Sequence, residues 1–235
     1  MLFHNKEVKR VVTPVIHCAT AIQTRRNVRK AIDAGADGVW LINMHISQKE
    51  LADIFTQMRI NYPNFWIGLN SLSKFPFTIL EDLAQHDMKP DGVWVDNAGV
   101  DETRVVQAYP EFLLEEFERV GFDGLYFGGV AFKYQQPVTD LEKATQLAMK
   151  YMDVVTSSGA ATGVAADIEK VIAMRAALGK NKPLALASGI TPENVSKYLP
   201  YVNCFLVATG ISSSFEELDL PLMTQLIETV KTYKD

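Results

Sequence analysis

Ala36-Asp37-Gly38-Val39-Trp40, Pro90-Asp91-Gly92-Val93-Trp94 and Phe122-Asp123-Gly124-Leu125-Tyr126 are three copies of one signal, a turn that leads into an apolar strand. Met152-Asp153-Val154-Val155 is a fourth copy without the glycine. Short apolar runs occupy residues 11–18, 39–44, 65–69, 93–95, 125–132, 154–156, 184–187 and 205–208. Several are unbroken rather than alternating, as strands of a parallel sheet buried on both faces should be. From Asp37 onward they recur at roughly 20–32 residues, the length of one strand, one helix and their connections. Eight such units predict a single α/β domain over residues 1–235, a (β/α)8 TIM barrel. An open doubly wound sheet shares this alternation, but its first strand usually leads into GxGxxG. Here the first strand ends in His17-Cys18-Ala19-Thr20, with no glycine.

The stretches between the runs carry helix punctuation. Ser47-Gln-Lys-Glu50, Thr139-Asp-Leu-Glu142 and Ser213-Ser-Phe-Glu216 fit the capping box, in which hydroxyl and carboxylate satisfy orphan amides reciprocally. Thr191-Pro192-Glu193-Asn194 predicts a helix start with proline in the first turn. Gly35, Gly121 and Gly179 are placed as left-handed terminators. Ile168, Val171, Ile172 and Leu178 fall on one side of a 3.6-residue period. A short helix is expected over 215–218, ahead of the final long one.

Composition bounds the function. Hydrophobic residues make up 48% and charged residues 22%, ordinary for a globular protein. A net charge of −5 and the lack of a basic run argue against a nucleic-acid partner. No run reaches the length of a membrane span, and the N-terminal MLFHNKEVKR lacks the apolar stretch of a signal peptide, so a cytoplasmic location is expected. Cys18 and Cys204 sit in apolar runs and read as core residues. The four histidines show no metal-ligand spacing, so neither a metal site nor a cofactor is expected. Association into a homo-oligomer is left open.

Barrel interiors are packed with apolar side chains, so polar residues gathered at strand exits need a reason. They are His17 after the first strand, Asn43 and His45 after the second, and Asn70 and Ser71 after the third. Asp96 and Asn97 follow the fourth, Lys133 the fifth, Ser157 and Ser158 the sixth, Ser188 the seventh and Thr209 the eighth. A barrel brings all eight exits within reach of one ligand. Asp96 suits a general base, a hydroxyl-binding group or a metal ligand, and equally an Asx turn. Lys133, in an apolar run, suits a base, a Schiff-base nucleophile or a partner for an anion, unless it simply reaches water. His17 suits acid–base work, whereas His45 reads as structural. Lys133, Asp96 and His17 are the catalytic candidates. Asn43, Asn70, Asn97, Ser157, Ser158, Gly159 and Thr162 are expected to bind substrate.

Two loops point to an anion. Ser188-Gly189-Ile190 and Thr209-Gly210-Ile211-Ser212 each place a strand end, a glycine and a helix start in sequence. Free amides at a helix start attract anions, and many barrels hold a substrate phosphate with these two loops. Gly189 and Gly210 are expected to leave room for close approach of the phosphate, and the helix from Ser213 to add its dipole.

These residues also resemble the BtpA family, TIM-barrel proteins named for photosystem I biogenesis. Val154-Val-Thr-Ser-Ser-Gly-Ala-Ala-Thr-Gly163 is similar to that family's TGxxTG loop, and Ala187-Ser-Gly-Ile-Thr-Pro-Glu-Asn-Val195 to its GSGVTxEN segment. Residues 127–133 resemble its fifth strand, which ends in Lys-His, but Tyr134 stands here where the histidine would be. Val15-Ile16-His17 resembles the opening strand without the Leu-Pro-Gly that normally follows, and Ile42-Asn43 replaces Glu-Asn. The resemblance is good over about 124–211 and thin before it. Ser188-Gly-Ile-Thr-Pro-Glu-Asn194 is also similar to the phosphate loop of phosphoribosylanthranilate isomerase and related ribulose-phosphate barrels. These likenesses and the two loops imply an enzyme of a small phosphorylated metabolite, a sugar phosphate or a nucleotide-like compound, phosphoribosyl compounds included, with transferase, isomerase and lyase chemistry all open. The family's name implies a non-catalytic assembly factor as the alternative.

Overall fold

The computed structural model describes Leu2, residues 10–73 and residues 75–234. Apart from Leu2 and Arg10, the N-terminal segment read as polar lies outside the described residues. Eight parallel strands close into a barrel in chain order: β1 (Val11–His17), β2 (Val39–Ile42), β3 (Ile67–Asn70), β4 (Gly92–Val95), β5 (Leu125–Gly129), β6 (Val154–Ser158), β7 (Leu184–Ala187) and β8 (Cys204–Val207). The last strand pairs with the first, Val11 beside Cys204 and Thr13 beside Leu206. Helices α1 (Ala21–Asp33), α2 (Gln48–Asn61), α3 (Thr78–Ala84), α4 (Ala108–Arg119), α5 (Leu141–Ala148), α6 (Ile168–Leu178) and α7 (Leu220–Thr232) cover the outside. The architecture is the (β/α)8 barrel that the repeat predicts. Among the described residues no helix is long and apolar enough to cross a membrane.

Strand side chains alternate between two cores, because successive Cβ atoms leave a strand on opposite faces. Val11, Val15, Trp40, Trp66, Trp94, Phe127, Ala185 and Leu206 fill the barrel. Val12, Ile16, Leu41, Leu69, Val93, Leu186 and Phe205 pack against the helices. Trp40 meets Trp66, Trp94 and Phe127 edge-on at centroid separations of 4.9, 5.8 and 4.9 Å. Each such contact adds about 1 kcal/mol beyond its buried area. A Cβ on Gly68 would lie 2.4 Å from the Trp40 ring, and one on Gly92 2.6 Å from Trp66. These glycines give the tryptophans their space.

The recurrent aspartate has a structural task. Asp37 Oδ2 accepts from the amide of Val12 at 2.9 Å, Asp91 from Ile67 at 2.7 Å and Asp153 from Tyr126 at 2.8 Å. Each ties its strand entry to the strand before it. Asn203 does the same for Leu184 at 3.0 Å, a fourth such tie that the sequence motif hides behind an amide.

Helix ends follow the punctuation in part. Ser47 and Glu50 form the predicted capping box, and Gly35, Gly121 and Gly179 take φ of 78°, 65° and 66°. Asp140, not Thr139, caps α5, because the Thr139 amide and hydroxyl are both held by Glu102. No α-helix follows Thr191-Pro192. That stretch forms only a 3-10 turn, Val195–Lys197, since Pro200 removes a donor and bars helical backbone at Leu199. The helix expected over 215–218, with its Ser213 capping box, is also absent. The segment folds back in an isolated bridge between Ser212 and Leu218, while Ser213 donates its amide to Glu217 O at 2.8 Å.

Candidate functional site

At the C-terminal end of the barrel lies a cavity of about 480 Å³, within the range of small-molecule sites. His17, Asp96, Lys133, Thr162, Ser188, Gly189, Ile190, Thr209 and Gly210 line it, over a floor of Val15, Trp94 and Leu206. Strand parity explains who arrives there. His17 continues the inward series Val11–Thr13–Val15, and Asp96 continues Gly92–Trp94.

Several other candidates lie outside this cavity, Asn43 and Asn97 because of that parity. Asn43 sits one residue past inward Ile42, and its side chain instead accepts from the Leu72 amide at 2.8 Å. Asn97 is exposed, and its Oδ1 accepts from Gly99 at 2.9 Å in an Asx turn. Asn97 and buried Asn70 line a neighbouring cavity rather than this one. Ser157 donates to Ala131 O at 3.2 Å, and Ser158 accepts from the Lys133 amide at 2.8 Å. Both serines are fully buried and shape loop 5 (each loop taking the number of the strand it follows) rather than the mouth. Gly159 is buried where its loop doubles back, since a Cβ there would meet Val164 O at 1.9 Å.

Asp96 is half-buried, and Asn70 Nδ2 donates to its Oδ1 at 2.9 Å. Burial pushes its carboxyl above the usual aspartate range, against the pull of Asn70 and of the Lys133 charge. Gln135 fixes the backbone beneath it, donating to Asp96 O at 2.8 Å and Gly129 O at 3.0 Å. His17 binds Phe215 O through Nδ1 at 2.8 Å, and its ring stacks on Phe215 at 4.2 Å. A carbonyl only accepts, so Nδ1 carries the proton and Nε2 of the neutral ring is an acceptor. Burial lowers the histidine pKa, the Phe215 carbonyl opposes this, and the Lys133 charge reinforces it. Lys133 therefore acts electrostatically on both other candidates. Its Nζ donates to Thr162 Oγ1 at 3.2 Å, while the Tyr134 hydroxyl accepts from the Thr162 amide.

The anion loops differ from expectation in their details. Among the described residues, the amides of Gly189, Ile190, Thr209 and Gly210 meet no backbone or side-chain acceptor, and all four residues line the cavity. Ile211 is not available, because its amide donates to Ala208 O at 3.0 Å and its side chain is buried. Ser212 turns away too, its amide directed at Thr209 O and its hydroxyl at Ala208 O. The room beside the glycines is taken by protein. A Cβ on Gly210 would stand 1.9 Å from Ile190 O, and one on Gly189 2.1 Å from the Ala165 amide. Ser188 and Gly189 both hold positive φ, 67° and 66°, which turns the chain sharply at the β7 exit.

Two supports were invisible to motif reading. Asn27 of α1, fully buried, donates to Glu216 O at 2.7 Å and accepts from the Leu218 amide at 3.0 Å. Gln23 also donates to Glu216 O, so α1 holds loop 8 with Phe215 over the mouth. Lys170 of α6 reaches Ser158 O at 2.8 Å and Ala131 O, joining loops 5 and 6, and burial lowers its pKa. Polar residues on a helix face look like solvated surface until the loop that covers them is known.

No family model matches the chain, and no curated protein matches it. Solved structures share its fold. Phosphoribosyl anthranilate isomerase from Thermus thermophilus, 12% identical, gives a TM-score of 0.63 over 95% of this chain and 100% of its own. Wild-type GGGPS from Thermoplasma volcanium, 13% identical, gives 0.68 over 97% and 94%. (S)-3-O-geranylgeranylglyceryl phosphate synthase from Thermoplasma acidophilum, solved with sn-glycerol-1-phosphate, is 12% identical and gives 0.67 over 99% and 97%. Identities this low speak for the fold alone, so the likeness to the BtpA family rests on its sequence segments.

Proposed function

We propose that this barrel is an enzyme of a small phosphorylated metabolite, a sugar phosphate or a nucleotide-like compound. The observation that carries the reading is the set of four unpaired amides, of Gly189, Ile190, Thr209 and Gly210, along one wall of the cavity. Amides that open onto a cavity without a protein acceptor form a cradle for an anion, and phosphate oxygens complete it. The fold supports the reading, since two of the structural relatives are named for a phosphoribosyl and a glyceryl phosphate substrate. Loops 6 and 7, where the likeness to the BtpA family lies, border this cavity.

With the phosphate held there, the remaining groups suit proton transfer. Asp96, its pKa raised by burial, takes or returns a proton near neutral pH more readily than an exposed aspartate. The Lys133 ammonium stabilises negative charge that develops as the proton leaves. His17 accepts a substrate hydroxyl at Nε2 and so orients the reacting carbon. A thermal-shift comparison tests the binding step. Ribose 5-phosphate at a hundred times its Kd should stabilise the protein by about 2.7 kcal/mol, and ribose should not. Equal shifts for the two would end the proposal.

A further inference from the structure

Asn70 closes β3 with only 1% of its surface exposed, and its amide nitrogen is committed to Asp96. Its carbonyl oxygen Oδ1 is buried and meets no donor among the described residues. Turning the amide round does not cure this, because it would set Oδ1 against the carboxylate of Asp96, oxygen on oxygen. A buried acceptor without a donor is costly, and such groups concentrate where a ligand completes them.

Asn70 and Asp96 line a second cavity of about 540 Å³ at the exits of β3 and β4, together with Ser71, Ser73 and Tyr109. Asp96 and Leu72 line both this cavity and the barrel mouth. In the ring of eight strands, β4 stands four places from β8, so the second cavity faces the phosphate loops from the opposite wall. Asp96, the polar residue that the two cavities share, offers acceptors, as does Asn70 Oδ1 beside it. A second phosphate or a carboxylate would meet oxygen there, whereas a hydroxyl would supply the missing proton.

We propose that this second cavity is a subsite for the neutral, hydroxyl-bearing far end of the substrate, read by Asn70 Oδ1 and Asp96. The substrate is then a polyhydroxylated monophosphate ester, long enough to reach from the β7 and β8 loops across the mouth to β3 and β4. This rests on the phosphate reading above.

Calorimetric titration of the full chain with inorganic phosphate, ribitol 5-phosphate and pentyl phosphate separates the two. The esters match in length and phosphate, and differ in hydroxyls. Ribitol 5-phosphate should bind at least about tenfold more tightly than pentyl phosphate, the difference that one completed hydrogen bond makes. In Asn70→Leu that preference should vanish; a preference kept in this variant would overturn the role of Asn70. If phosphate binds the wild-type protein but the two esters bind alike, the subsite is wrong and the phosphate site stands. If none of the three binds, the phosphate reading falls and the subsite with it. The wild-type comparison needs no variant to fold.

Discussion

His17 and Phe215, 198 residues apart in sequence, are joined twice: the imidazole stacks on the phenyl ring at 4.2 Å and binds the same residue's carbonyl at 2.8 Å. Loop 8 thereby covers the first strand's exit, fixes the histidine tautomer and shields the ring from water. Lys133 adds a nearby positive charge.

That arrangement sets the outcome of Lys133→Met. Removing the ammonium should raise the pKa of His17, because a neighbouring positive charge disfavours protonation. Burial should still keep the value below that of an exposed histidine. The change is read from the pH titration of the His17 ring protons by NMR. The same variant should lose activity on any phosphorylated substrate found while staying folded. An unmoved His17 titration would show that the two side chains do not share the mouth.

Asp96→Asn should raise the melting temperature at pH 7 while lowering turnover by at least about a hundredfold. The sign follows from burial, which holds the folded-state pKa of Asp96 above its unfolded value. The folded state then binds the proton more tightly, so this group's favourable contribution is full below the unfolded pKa and is lost as pH rises through the folded one. At neutral pH the buried charge is a cost that asparagine removes. The stability gain should therefore shrink as pH falls through the folded pKa. A variant less stable than wild type at pH 7 would contradict this.

Asn27→Ala should destabilise the protein by roughly 2 kcal/mol, since it strands the Leu218 amide and removes a donor to Glu216. Loop 8 should exchange its amide hydrogens faster, and phosphate-ester affinity should fall although Asn27 lies outside the cavity. Denaturant melts and hydrogen exchange measure the two effects. Protection in loop 8 equal to wild type would count against its anchoring by α1.

Gly210→Ala should cost roughly 3 kcal/mol even without ligand, as overpacking against rigid backbone does. The added methyl would overlap Ile190 O at 1.9 Å, so loops 7 and 8 must separate. A thermal melt of the ligand-free variant decides it; a wild-type melting temperature would mean that the two loops are not in contact.

The sequence by itself determined the barrel. Apolar runs longer than one face needs, spaced by one helix and restarted by Asp-Gly, leave few ways to bury every strand on both sides. It also carried an unused piece of the site, because alternation along each strand separates inward His17 and Asp96 from outward Asn43 and Asn97. Only the tertiary structure decided the rest. Asn27 and Gln23 belong to no motif in the sequence and take their role only where loop 8 lies over them. Gly210 reads as space for a ligand until Ile190 fills it. The supposed helix at 215–218 unwinds because its polar groups find partners on α1 and within the loop. Local patterns fix which face a residue takes, whereas the partners of a loop come from chain segments far away in sequence, and closure of the barrel is what brings them together.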